Sequence, residues 1–132
     1  MVATKDQVLD IRIGFGRYGY PIDAAVRVFK RTLVGVTAAG LARPAATAGV
    51  VAIVGMSTHH ADNRDGLANA GKVEVERGLF PIAFDVAPAF ADIGKAVYAV
   101  DDNTVSLDHS ANSRLRAGTL DAIEDGTPWI RV

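Results

Sequence analysis

Cysteine is absent from the 132 residues, which excludes disulfides and thiolate metal ligands. Large side chains are scarce: aromatics make up 7% of the chain, with a single tryptophan. No charge of one sign dominates, since 14 basic and 15 acidic residues leave a formal net charge of -1. That balance argues against a nucleic-acid binder working through a broad basic face, because phosphate neutralisation supplies most of such affinity. The start, Met1-Val-Ala-Thr-Lys-Asp6, has no cationic segment followed by an apolar run and does not read as a secretory signal. The longest apolar stretch, around Val50 to Met56, is far below the ~20 residues that span a bilayer. No amphipathic pattern sustains a helix of about 12 residues or more. The expectation is a soluble chain with neither nucleic-acid nor membrane partners.

What is present in quantity is alanine and valine, which supply most of the 49% hydrophobic fraction. Small side chains each bury little area, at about 25 cal/mol per Å², so such a domain gains from burying more surface between copies. The length suits one domain. Apolar residues recur with period two more often than with period 3.6. In Lys72-Val-Glu-Val-Glu-Arg-Gly78 the valines face one way and the glutamates the other, which is a strand with one wet face. Val26 to Val36 reads as one or two strands. Gly49 to Thr58, a continuous apolar run, reads as a central strand. Lys95 to Val100 and Val105 to Leu107 flank an Asp101-Asp-Asn-Thr104 turn. Asp125-Gly126 joins Arg114–Ile123 to Pro128–Val132 as a hairpin. Short strands separated by turns favour a barrel or sandwich.

The expected fold class is therefore mainly β: a small β-barrel or β-sandwich of short antiparallel strands, with one domain over residues 21–132. Residues 1–20 carry no clear pairing pattern and are expected to form an irregular arm. Asp23 is expected to cap a short turn to Val28, and Ala87 to Ala91 to form another. Thr37–Ala48 and His59–Ala70 read as loops.

Gly14-Phe-Gly-Arg-Tyr-Gly19 spells G-x-G-x-x-G, but a dinucleotide fold sets that motif between a strand and a long helix, with an acidic residue ~20 positions on. Here Pro21 follows at once and no acidic residue lies between Asp23 and Asp62. A glycine-rich arm or turn is the expected reading. His59-His60-Ala-Asp62 is the cluster closest to a metal or acid–base site, but neighbouring strand residues point to opposite faces, and a helix would need i, i+4 spacing. A solvated loop is expected there. Asp101-Asp102-Asn103 lacks the glycine and distal glutamate of a calcium loop and reads as a β-turn. Neither catalytic residues nor cofactor or metal ligands are assigned. Phe15, Tyr18, Tyr20, Phe80, Phe84 and Trp129 are candidate interface residues, because aromatics are enriched in interface centres. Core packing is the alternative for Trp129, as for Tyr98.

Several stretches in order resemble the tailed-phage head decoration proteins, also called capsid cement or head-stabilising proteins. They are Leu33-Val-Gly-Val-Thr-Ala-Ala-Gly-Leu-Ala-Arg-Pro44, Gly49-Val-Val-Ala-Ile-Val-Gly-Met56 and Gly71-Lys-Val-Glu-Val-Glu-Arg-Gly78. Next come Ile93-Gly-Lys-Ala-Val-Tyr-Ala-Val-Asp-Asp-Asn-Thr-Val-Ser-Leu107, Arg116-Ala-Gly-Thr-Leu120 and Gly126-Thr-Pro-Trp-Ile-Arg-Val132. The resemblance covers about residues 25 to 132. It implies a virion protein with no active site, made in the bacterial cytoplasm. It would bind the major capsid protein on the outer capsid face, with a homotrimer favoured. The alternative reading is a phage-borne receptor- or glycan-binding β module of a tail or fibre. A small metal-dependent hydrolase using His59, His60 and Asp62 is a third.

Overall fold

Short β-branched runs punctuated by Gly, Asp and Asn turns become short strands rather than helices. The computed structural model describes residues 16–132. Its first half holds β1 (Arg17–Pro21), β2 (Val26–Val28), β3 (Leu33–Thr37), β4 (Ala42–Pro44), β5 (Val50–Ser57), β6 (Ala61–Asn63) and β7 (Lys72–Glu76). The second half holds β8 (Leu79–Phe80), β9 (Ala83–Phe84), β10 (Ala96–Ala99), β11 (Thr104–Ser106), β12 (Arg116–Glu124) and β13 (Thr127–Arg131). One 3-10 turn, Phe90–Asp92, is the sole helical element among the described residues.

The protein is mainly β. A five-stranded sheet runs β1-β7-β5-β3-β4, a six-stranded sheet runs β8-β13-β12-β10-β11-β9, and β2 pairs with β6 as a separate ribbon. Strand pairing is antiparallel except between β9 and β11, and Ile22 adds an isolated parallel bridge to Ala42. Among the described residues each large sheet keeps two edges, so neither closes into a barrel.

Two cores explain the apolar runs. Leu33 and Met56 of the five-stranded sheet meet Val97, Val105, Leu120 and Ile130 of the six-stranded sheet. On the other face of the five-stranded sheet, Val34, Val54, Val73 and Val75 pack with Ile22 and Val28 of the β2 segment. Successive strand residues point to opposite faces, so Leu33 and Val34 serve different cores and both are fully buried. At β3 and the second half of β5 that sheet is covered on both sides, which is why these stretches read as continuous apolar runs, whereas β7 keeps its glutamate face toward solvent. A bulge completes the arrangement: Val34 pairs with Gly55 and Gly35 with Ile53, leaving Val54 as the extra residue on β5. The extra residue shifts the alternation, so Ile53 and Met56 face the first core and Val54 the second.

Several expectations need correction. Arg17 to Tyr20, placed in the arm, pair with β7 as the greater part of β1. Tyr18 and Tyr20 turn onto the second core, and Pro21 ends a strand at the sheet edge, where a missing N–H costs no ladder bond. Residues 1–15, and with them Phe15 and Gly14, lie outside the described residues. The 37–48 segment contains β4, which pairs back onto β3. The 59–70 segment contains β6, held by β2. Asp23 caps no helix: its carboxylate takes the Arg43 guanidinium and the Ala24 amide instead. The expected turn at 87–91 falls at Phe90–Asp92, where the Asp92 carboxylate accepts the Ala89 amide.

Candidate functional site

The β2–β6 ribbon presents one face inward and one outward. Val28 and Ala61, opposite each other, face the core, while Arg27 opposes Asp62 on the outer face. Arg27 Nε donates to His60 Nε2 at 2.8 Å, and its guanidinium sits 4.5 Å from the Phe29 ring centroid. The Phe29 and His60 rings stack at 5.6 Å. Asp62 receives Arg64 in a forked pair, at 2.9 Å from Nε and 2.7 Å from the terminal nitrogen. That guanidinium holds the Asp62 carboxyl well below the usual carboxylate range.

The sequence cluster His59-His60-Asp62 is thus dispersed. His59 Nδ1 lies 3.1 Å from the Thr58 hydroxyl, His60 is engaged by Arg27, and Asp62 by Arg64. His109 accepts the Asn112 amide at 2.9 Å and sets its ring edge-on to Tyr98. Among the described residues no three His, Asp or Glu side chains gather as a metal site.

The other motifs become structural ties. Gly19 lies inside β1, paired with Glu74, and no helix follows it. Asp101 accepts the Asn103 amide at 2.9 Å, closing the turn on itself. Asp102 reaches across the molecule: its carboxylate accepts the Ala46 amide at 2.8 Å and its carbonyl the Leu33 amide at 2.7 Å.

The candidate interface aromatics among the described residues, Tyr18, Tyr20, Phe80, Phe84 and Trp129, are half-buried. Tyr18 and Tyr20 lean on the second core, with the Arg77 guanidinium 5.6 Å from the Tyr18 ring. Phe80 and Phe84 lean on the first core from β8 and β9. Trp129 sits opposite Ala122 in the closing hairpin.

The large apolar side chains left to solvent are different ones. Phe29, Val51, Leu67, Val86, Phe90 and Ile93 are exposed, with Val86 and Phe90 each at 74%. Three of them, Val86, Phe90 and Ile93, fall in one segment between β9 and β10. The signal that could have found them is the composition of 86–91, three alanines around a single proline, which offers little to hold a side chain down.

A pocket of about 560 Å³ opens between the sheets, lined by Met56, Phe80, Pro81, Ile82 and the Asn103–Thr104 turn, with Arg31 at its rim. Arg31 is its sole ionisable lining residue among those described, and it pairs with Glu76 at 3.1 Å. The walls can shelter an apolar group. Comparison with protein-family models, with curated proteins and with solved structures returns no match.

Proposed function

We propose that this chain is a virion structural protein that binds the outer face of a phage or prophage capsid and stabilises the head. It acts as a homo-oligomer, with a trimer favoured, and without catalysis. In this reading the two packed sheets form a small sandwich that clamps neighbouring major capsid subunits. The observation that carries the proposal is the exposed apolar segment between β9 and β10 on a β domain of near-neutral charge, since such a surface offers contact area rather than reactive groups. The resemblance of residues 25 to 132 to head decoration proteins supplies the direction.

The test uses expanded heads prepared with and without the protein. Added protein is expected to sediment with the heads and to raise the temperature at which they release DNA. Equal heat resistance in its presence and absence would refute the reading.

A second reading has its own support. The outer face of the β2–β6 ribbon carries an aromatic ring, Phe29, 56% exposed and flanked by Arg27 and His60. An exposed ring with planar donors beside it suits a receptor or glycan. Clear hits on a glycan array that vanish in Phe29→Ala would favour a tail or fibre module.

A further inference from the structure

The pocket between the two large sheets has no part in the capsid reading. Its volume, about 560 Å³, falls within the roughly 300–1,000 Å³ of small-molecule sites. Met56 and Ile82, each 6% exposed, belong to the first core, so the packing of the fold itself fixes part of the wall. Phe80 and Pro81 add apolar surface beside them. The polar groups are chiefly donors. Arg31 brings a guanidinium with five N–H groups, of which Glu76 engages one terminal nitrogen at 3.1 Å while the side chain stays 52% exposed. The Thr104 hydroxyl donates to the Asn103 side-chain oxygen at 3.2 Å, which leaves Asn103 its NH2 to offer. No Asp or Glu lines the pocket among the described residues.

The backbone supplies a second, independent observation. Arg31 takes a positive φ of 59°, a state that costs a bulky side chain and persists only where the surroundings hold it. The other non-glycine residues at positive φ among those described are Ala, Asn, Ser and Asp, small or locally hydrogen-bonding types, and Arg31 is the exception. What holds it is buried: the Arg31 amide donates to the Ser57 carbonyl at 3.1 Å, and the Ser57 hydroxyl donates to the Phe29 carbonyl at 2.6 Å. The one cation lining the pocket is therefore carried on a turn that the core clamps in an unfavourable conformation. Strain of this kind collects at ligand clamps, where it fixes a group in place before the ligand arrives.

Apolar walls with a guanidinium and an amide donor at one side suit a ligand with an apolar body and an anionic oxygen head. We infer that this pocket binds a small apolar monocarboxylate of the fatty-acid class, its tail among Met56, Phe80 and Ile82 and its carboxylate on Arg31 and Asn103. The inference goes beyond the capsid reading and does not rest on it. Glu76 sets a limit on affinity, because its carboxylate shares the Arg31 guanidinium and repels a second anion brought to it.

The test is an NMR titration of the full chain with octanoate near neutral pH, read on the Met56 and Ile82 methyl signals. A saturable shift of these signals is expected. The neutral alcohol 1-octanol, with a tail of the same length, should bind about tenfold more weakly or worse. Arg31→Gln should bring octanoate down to the level of octanol and leave octanol unchanged, a split that a general loosening of the turn would not produce. Glu76→Gln should tighten octanoate by removing the competing charge. Ala83→Trp, which adds bulk to the wall without touching the Arg31 turn, should weaken octanoate and octanol together; it carries the test where Arg31→Gln fails to fold. Wild type whose methyl signals show no saturable shift would overturn the inference. So would octanol that binds as tightly as octanoate, Arg31→Gln that binds octanoate as wild type does, or Glu76→Gln that weakens it.

Discussion

The buried Ser57 hydroxyl donates to the Phe29 carbonyl at 2.6 Å and accepts the Thr32 amide at 3.1 Å. It spans the tight turn between β2 and β3, in which Arg31 takes a positive φ of 59°. The backbone joins in, with the Arg31 amide on the Ser57 carbonyl at 3.1 Å and the Ser57 amide on the Thr32 carbonyl at 2.9 Å. Ser57→Ala removes one side of this clasp and leaves the Thr32 amide without its acceptor. A loss of about 1–3 kcal/mol is expected for such an orphaned donor. Urea denaturation checks it, and a midpoint equal to wild type would mean that the turn holds by its backbone bonds alone.

Asp23 and Arg43 tie the chain entering β2 to β4. The Asp23 side chain is 10% exposed, and the Arg43 bond and then the Ala24 amide pull its pKa below the ordinary value of 3.8. A carboxyl depressed in the folded state adds stability that is present above its unfolded pKa and lost as pH falls through the folded value. Wild type should therefore lose stability more steeply than Asp23→Asn does once pH falls to the unfolded value of 3.8 and below it, with no difference in slope near neutral pH. Parallel acid limbs for the two proteins would show that this pair has no weight in acid unfolding. Asp62 and Asp92 are lowered too, so the variant should flatten the limb without abolishing it.

Gly118 lies where β12 passes close to the end of β13. A Cβ there would collide with the Arg131 carbonyl oxygen, which belongs to a neighbouring backbone that cannot simply rotate away. Gly118→Ala is expected to cost about 1–3 kcal/mol through overpacking. Gly71 is the contrast: its nearest neighbour would be the Ile22 side chain at 3.8 Å, an ordinary contact. Gly71→Ala should sit close to wild type. Thermal midpoints of the two variants decide, and equal shifts would refute the distinction.

Much of the fold was legible because it follows from local chemistry. Val73 and Val75 are buried, with Glu74 and Glu76 facing outward, as period two requires. Asp125 and Gly126 take positive φ of 50° and 78°, as a tight hairpin turn between β12 and β13 demands. The candidate surface was less legible. Tyr18, Tyr20, Phe80 and Phe84 stood out by residue type, yet they lean on cores built from distant strands. Val86 and Phe90 are exposed because nothing among the described residues packs over their segment, a property of the assembled sheets and not of the residues themselves.

The sequence by itself determined that the chain forms short strands, where most of them turn, and which faces of β7 are wet. Those outcomes depend on side-chain alternation and on turn residues a few positions apart. Only the tertiary structure decided that the run through β5 serves two cores. A bulge at Val54 shifts the alternation there, and it exists because β3, some twenty residues earlier, pairs with β5 in one particular register. It also decided the partners of the polar clusters. His60 and Asp62 are neighbours in sequence, but Arg27 reaches His60 from the strand across the ribbon, while Arg64 claims Asp62. Pairing between distant strands sets such contacts, and no local pattern encodes them.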